Sequence, residues 1–346
     1  MILKFPVALF PIVLTLFLPS ILYSQIDWRI NSEIGLFRSS GYGILKEEDF
    51  LTRLDAYIKY KYETDKRDAS VSLRARPEFY SFKNPVSTIK LKAEGNYYQT
   101  EENFNWGLNV TRQRIFFNDD VFNLAYDVFT LVGDASWFSF DDLTLNTNAG
   151  YAYQLIKDNE EYNLDLLFLD TKLFDPLNSN TKLGYGFYVE RFFITNDIIY
   201  LNMRTKNENK GWRVGPQISF NYLKDIILNI DYRFLMHQSR FTEYFSYEHW
   251  IRIVAGKIFF TNWSAFLLVD YNSFFFQKKE NYVEGVTPLY TPLNLENRIY
   301  LKVAYELNDN FETYAKTGYF RDNLYEDKFS LEGWNVMLGI ELNGGK

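Results

Sequence analysis

Few residues in this 346-residue chain are suited to covalent chemistry. It has two histidines and no cysteine, which removes thiol nucleophiles, disulfides, Cys-ligated zinc, iron–sulfur clusters and a lipobox cysteine. His237 and His249 bracket Ser239, Glu243 and Ser246, the residue types from which a serine hydrolase is built. Strand phase separates them: His249 falls on the face of Ile251 and Ile253, and Ser246 on the other. The expectation is therefore interfacial polar residues without catalytic duty, in a protein that is not an enzyme. Carboxylates gather at Glu47-Glu48-Asp49, Asp119-Asp120 and Asp141-Asp142, but none has the D-x-D-x-D-G spacing of a calcium loop, so they read as solvated turns. G-x-S-x-G, HExxH and phosphate-binding loops are absent from the sequence. Neither a metal nor a cofactor is expected.

What remains is charge spaced by two. Lys59, Lys61, Arg74, Arg76, Lys90 and Lys92, with Glu63, Glu78 and Glu94, form one charged sector. Arg252, Glu296, Arg298, Lys302 and Glu306 form another, and Arg213, Asp231 and Arg233 stand between them. Both signs are present, so cross-strand pairing can neutralise much of it.

These side chains need elements that hold alternate residues in different surroundings. Trp212, Val214, Pro216, Ile218, Phe220 and Tyr222 alternate with Arg213, Gly215, Gln217, Ser219 and Asn221. After Leu223-Lys224-Asp225 the pattern resumes with Ile226, Leu228, Ile230, Tyr232, Phe234 and Met236. That is a hairpin with one apolar wall and one wet wall, its strands about as long as the 9–11 tilted residues a bilayer demands, or slightly longer. Similar alternation recurs at 54–62, 71–79, 89–97, 103–111, 122–131, 143–155, 162–169, 183–192, 198–204, 247–258, 265–274, 295–305, 311–319 and 329–342. Counted from Leu54 there are about sixteen strands, the even number a single-chain barrel requires. Residues 25–49 are either a first strand or an N-terminal extension, and 50–346 form the barrel.

Asn/Asp-rich turns at 118–120, 157–159, 195–197, 223–225, 261–263 and 308–310 are assigned to one end of this barrel. Longer connections at 133–142, 174–180, 237–246, 275–292 and 321–328 are assigned to the other. Pro77 and Pro216 fall mid-strand, where a bulge is expected at each. Gly184 and Gly186 read as room for a bulky neighbour. Aromatics at Phe116-Phe117, Phe192-Phe193, Phe259-Phe260 with Trp263, and Phe274-Phe275-Phe276 suit a headgroup layer.

Composition agrees with this pattern. Aromatic residues make up 19% and charged residues 23% of the chain, with a mean hydropathy of −0.26, too polar for a helical bundle in a membrane. A net charge of −7 without a dense basic run gives nucleic acid no footing. Lys4, the apolar run 5–23 and Ser24-Gln25 read as a signal peptide over 1–24.

On these alternations and turns, the chain resembles the outer-membrane β-barrel proteins of Gram-negative bacteria, porin-like in general form. It departs from many of them in following Trp334, Val336, Leu338, Ile340 and Leu342 with Asn343-Gly344-Gly345-Lys346 rather than a terminal aromatic. The resemblance implies an all-β, up-and-down transmembrane barrel in the cell outer membrane, with short periplasmic turns and longer extracellular loops. Its partners would be outer-membrane lipid, the insertion machinery and small hydrophilic solutes passing through the lumen. Lys278, Lys279, Glu280 and Glu284 would then sit on a loop able to constrict that lumen. The alternatives are a plugged barrel that binds a partner through its loops or periplasmic extension and, behind it, a barrel-embedded lipid hydrolase.

Overall fold

The computed structural model describes residues 24–41, 48–80, 86–118, 123–138, 143–157, 163–200, 203–239, 246–275, 296–323 and 330–345. The strands are β1 (Ser24–Gly41), β2 (Glu48–Glu63), β3 (Arg67–Tyr80), β4 (Val86–Thr100), β5 (Phe104–Asn118), β6 (Asn123–Phe138), β7 (Thr144–Lys157) and β8 (Asn163–Asn178). They continue as β9 (Thr181–Tyr200), β10 (Met203–Leu223), β11 (Ile227–Ser239), β12 (Ser246–Phe259), β13 (Trp263–Phe275), β14 (Glu296–Asn308), β15 (Phe311–Asn323) and β16 (Ser330–Gly345). Each pairs antiparallel with its neighbours in sequence, and β1 pairs with β16, so the sheet closes without a free edge.

Period-two alternation decides which side chains enter the barrel. On β16, Trp334, Val336, Leu338 and Ile340 are exposed while Met337 is fully buried. Ile26, Trp28, Ile30, Ile34 and Leu36 do the same on β1, with Glu33 and Phe37 buried between them. Only on a concave surface do side chains converge over an intervening strand. Lys316 of β15 reaches Glu33 of β1 across β16, and Arg213 of β10 reaches Glu248 of β12 across β11. The polar set is therefore lumenal and the exposed apolar set is the outer wall.

Counting sixteen strands from Leu54 reaches the observed number through two errors that cancel. Residues 24–41 are a barrel strand, and 198–204 are not a separate strand but the tip of the β9–β10 hairpin, with Tyr200 opposite Met203. Omitting β1 inverts the direction of β2 to β9. The β5–β6 and β7–β8 connections therefore lie at the end opposite the termini, and 195–197 is not a turn at all: Asn196 pairs with Asn207 inside the ladder. The terminal end carries instead the turns at 64–66, 101–103 and 179–180, together with the β6–β7 connection and the expected turns after β10, β12 and β14.

Several of these turns have local chemistry. Asn178 and Asn308 accept from the backbone N–H two residues on, at 2.9 and 3.0 Å. Phe260 and Thr261 adopt positive φ of 50° and 64°.

Neither mid-strand proline has a bulge. At Pro216 the β10–β11 ladder skips from Val214↔Met236 to Gln217↔Arg233, and at Pro77 the β2–β3 ladder skips from Arg53↔Glu78 to Ala56↔Ala75; the register is unchanged in both. The missing donor is absorbed by opening two rungs on one side while the other side stays paired. The register shifts instead beside two turns, between Pro176 and Asn178 and between Glu306 and Asn308.

Glycine gives close approach at Gly184, where a Cβ would stand 2.6 Å from the Phe174 ring, and at Gly186, where it would stand 1.9 Å from the Thr171 carbonyl oxygen. The expected aromatic pair Phe192-Phe193 is split: Phe193 is exposed on the outer wall, whereas Phe192 is wholly buried in the lumen.

Candidate functional site: the lumen wall

The inner wall carries two charged sectors of different character. The first spans β14 to β4 through the β1–β16 seam. Arg53 donates to Glu33 at 2.7 Å and to Glu78 at 2.8 Å. Lys316 and Tyr314 also donate to Glu33, the tyrosine hydroxyl at 2.7 Å. Arg76, Lys90 and the Thr88 hydroxyl converge on Glu78 at 2.7, 3.6 and 3.2 Å. Arg74 clasps Asp55 with two nitrogens, and Lys302 pairs with Glu312 at 2.5 Å while lying 4.1 Å above the Tyr314 ring.

These groups line a cavity of about 240 Å³. Seven cationic side chains (Arg29, Arg53, Arg74, Arg76, Lys90, Lys302 and Lys316) line it with four carboxylates (Glu33, Asp55, Glu78 and Glu341), and Glu312 beside it pairs with Lys302, which leaves an excess of two positive charges in a chain of net charge −7. Such concentration in a low-dielectric concavity raises the local concentration of counter-ions.

The second sector, on β8 to β13, is internally satisfied. Arg213 donates to both oxygens of Glu190 at 3.0 Å and to Glu248 at 2.9 and 2.5 Å. Tyr188 donates to Glu190 at 2.6 Å and Asn272 to Glu248 at 2.7 Å. Arg213, Glu190 and Glu248 are each at most 2% exposed. Arg233 bonds Gln217 and Asp170 at 3.0 and 2.5 Å and lies between the Tyr188 and Trp250 rings. Lys172 and Ser219 both donate to Asp231, at 2.9 and 2.5 Å. Beyond these lies an apolar cluster of Ala152, Leu164, Leu166 and Phe192, with Phe168 packed against it.

The charged residues singled out in the sequence distribute as follows. Arg74, Arg76, Glu78, Lys90 and Lys302 enter the first sector, and Arg213, Asp231 and Arg233 the second. Lys61 pairs with Glu63 at 2.6 Å, and Lys92 pairs with Glu94. Lys59 stands opposite Asp27, Arg252 between Asp231 and Asp270, and Glu306 opposite Glu312, all on the inner row. Glu296 and Arg298 share that alternate row on β14, but their side chains lie outside the described residues, as do Lys278, Lys279, Glu280 and Glu284.

Sequence reasoning passed over Glu33, Arg53, Asp170, Lys172, Glu190, Glu248 and Lys316. Each falls on the inward phase of a period-two strand, opposite the apolar outer row. The histidines do not share a site: His237 faces inward opposite Ser246 and stacks on Phe192, whereas His249 faces outward with its Nδ1 2.8 Å from the Tyr232 hydroxyl.

A closed antiparallel sheet with an apolar exterior and a charged, partly cavitated interior defines a transmembrane β-barrel of porin-like build. No family model matches the chain, and no curated protein matches it. Among solved structures it is similar to OccAB3 of Acinetobacter baumannii, at 10% identity over 93% of this chain and 99% of that one, with a TM-score of 0.42. It is also similar to OprD of Pseudomonas aeruginosa, at 8% identity over 93% and 94% of the two chains and a TM-score of 0.43. A BenF-like porin of Pseudomonas fluorescens gives 10% identity, 94% and 100% coverage and a TM-score of 0.43.

Proposed function

We propose that this protein is an outer-membrane channel for passive passage of small hydrophilic solutes, performs no covalent chemistry and favours anionic solutes. The cationic cavity carries this reading. A barrel of sixteen strands is too wide for side chains alone to fill, and the first sector keeps its surplus positive charge beside open space. The second sector, by contrast, spends its charges on each other. Exported by its N-terminal segment, the chain would present its outer wall to lipid and reach the membrane through the insertion machinery, with tryptophan and tyrosine pairs such as Tyr97–Trp106 and Trp263–Tyr305 lying in the headgroup layer.

Complete burial of Leu235, Met337 and Phe192 on the inner wall favours a second reading, an occluded barrel that binds a partner. Planar-bilayer recording separates the two. The channel reading expects steady conductance and, under a salt gradient, a reversal potential displaced toward the anion. Lys316→Gln with Arg76→Gln should shift that potential toward zero. Electrical silence from barrel that still shows the heat-modifiable gel shift of a folded protein would favour the partner-binding reading.

A further inference from the structure

The outer wall should be apolar throughout, yet one arc of it carries a row of charges on neighbouring strands. On β5, outward positions run Phe104, Trp106, Leu108 and Val110 before Arg112 and Arg114; on β9 they run Leu183, Tyr185, Phe187 and Val189 before Arg191. The first outward arginine stands eight residues above the terminal end of β5 and ten above that of β9. That is about 26–33 Å along a strand and about 20–25 Å along the barrel axis at the usual tilt, close to the far edge of an apolar band about 25 Å tall.

The charges between them form a row by register. Arg112 and Arg114 share Asp127 of β6 at 3.6 and 3.7 Å, too long for hydrogen bonds, and the Arg112 side chain is 56% exposed. On β8, Asp165 accepts from the Tyr151 hydroxyl at 2.5 Å. The Arg191 guanidinium rests against aromatic rings, 4.6 Å from Trp212 and 5.0 Å from Phe193, and Lys210 is exposed opposite Phe193. Four cations therefore face two carboxylates, and neither arginine group is held by a close ion pair among the described residues.

We propose that this arc, from β5 to β10, binds phosphate groups of lipid headgroups in the leaflet opposite the chain termini. Guanidinium forks match phosphate oxygens, and rings holding Arg191 leave its N–H groups free to point outward. Arg112 and Arg191 are four strand spacings apart, about 19 Å around the circumference, so the row seats a headgroup with more than one phosphate or several heads side by side. The proposal rests on the transmembrane reading of the barrel but not on the lumen being open.

The test is native mass spectrometry of the barrel released from phosphatidylcholine nanodiscs doped with lipid A or with dephosphorylated lipid A. The wild type should retain lipid A and not its dephosphorylated form. Arg112→Gln/Arg114→Gln/Arg191→Gln should lose it about tenfold or more, and Lys257→Gln, which removes an outward cation at the terminal end of β12, should retain it. If the triple variant fails the heat-modifiable shift, Arg191→Gln alone carries the test, with a loss of about threefold. Equal retention by the arginine variants or equal uptake of the dephosphorylated lipid would overturn the proposal. A lipid-free barrel that still conducts overturns this inference alone, whereas a chain that folds as a soluble protein overturns the channel reading as well.

Discussion

Arg213 shows how a single lumenal side chain is stabilised. A guanidinium 1% exposed survives desolvation because two carboxylates and their own donors complete its hydrogen bonding. Truncating Glu190 leaves the Arg213–Glu248 pair balanced in charge but strips Arg213 Nη1 and the Tyr188 hydroxyl of their shared acceptor, and each buried donor left unsatisfied costs about 1–3 kcal/mol. Glu190→Ala should therefore lower the urea unfolding midpoint of refolded barrel steeply, and Glu190→Gln less so. Replacing the triad together by Arg213→Met, Glu190→Leu and Glu248→Leu should bring the midpoint back toward the wild type. A midpoint unmoved by Glu190→Ala would mean that water reaches Arg213 freely. The inward phase of Arg213 was legible from its alternation with Trp212 and Val214. Its partners were not, because Glu190 and Glu248 are 23 and 35 residues away and register alone brings them together.

At the scale of elements, strand phase was legible almost everywhere, while strand direction was not. Period two is written in every ribbon, but up and down are distinguished only by which connections are tight. Asn118-Asp119-Asp120 and Asn308-Asp309-Asn310 are both made of Asn and Asp alone, yet they belong to opposite ends of the barrel. The prolines show a similar limit: sequence reveals the lost N–H but not that an intact ladder on the other side can hold the register. Where two strands approach closely the sequence offers only a glycine, and the structure gives its reason. Gly186→Val would drive its side chain into the Thr171 carbonyl, 1.9 Å from the Cβ position. No rotamer relieves a backbone clash, so this substitution should abolish the folded, heat-modifiable species, whereas Gly95→Ala, with nothing within 4 Å, should leave it intact. Normal folding of Gly186→Val would show that β8 and β9 are further apart than described.

For the molecule as a whole, the decisive contact is the pairing of β1 with β16. Ile30 stands opposite Leu342 on the outer wall, and the chain contains no other thiol to compete. The double variant Ile30→Cys/Leu342→Cys should oxidise to an intramolecular disulfide in the folded barrel, visible as a mobility change on a denaturing gel that reductant reverses. Ile30→Cys/Leu338→Cys, four residues out of register, should cross-link poorly. Equal cross-linking of the two pairs would deny that register. The pairing also accounts for the ambiguity of residues 25–49 in sequence: the alternation of Trp28, Ile30, Ile34 and Leu36 is clear, but the second of its two partners, β16, is about 300 residues away.

That seam joins the first ribbon made to the last, as the Lys316–Glu33 bridge, spanning 283 residues, illustrates. Such a ring cannot be completed while synthesis is still under way, because its final stave has not arrived. Until then the leading ribbon has only one neighbour, and its bare main-chain groups invite any stray strand. Maturation of this polypeptide is thus bound to a waiting period in which nearly the entire length must be kept apart from its own copies, and the clasp between its two tails records that the wait has ended.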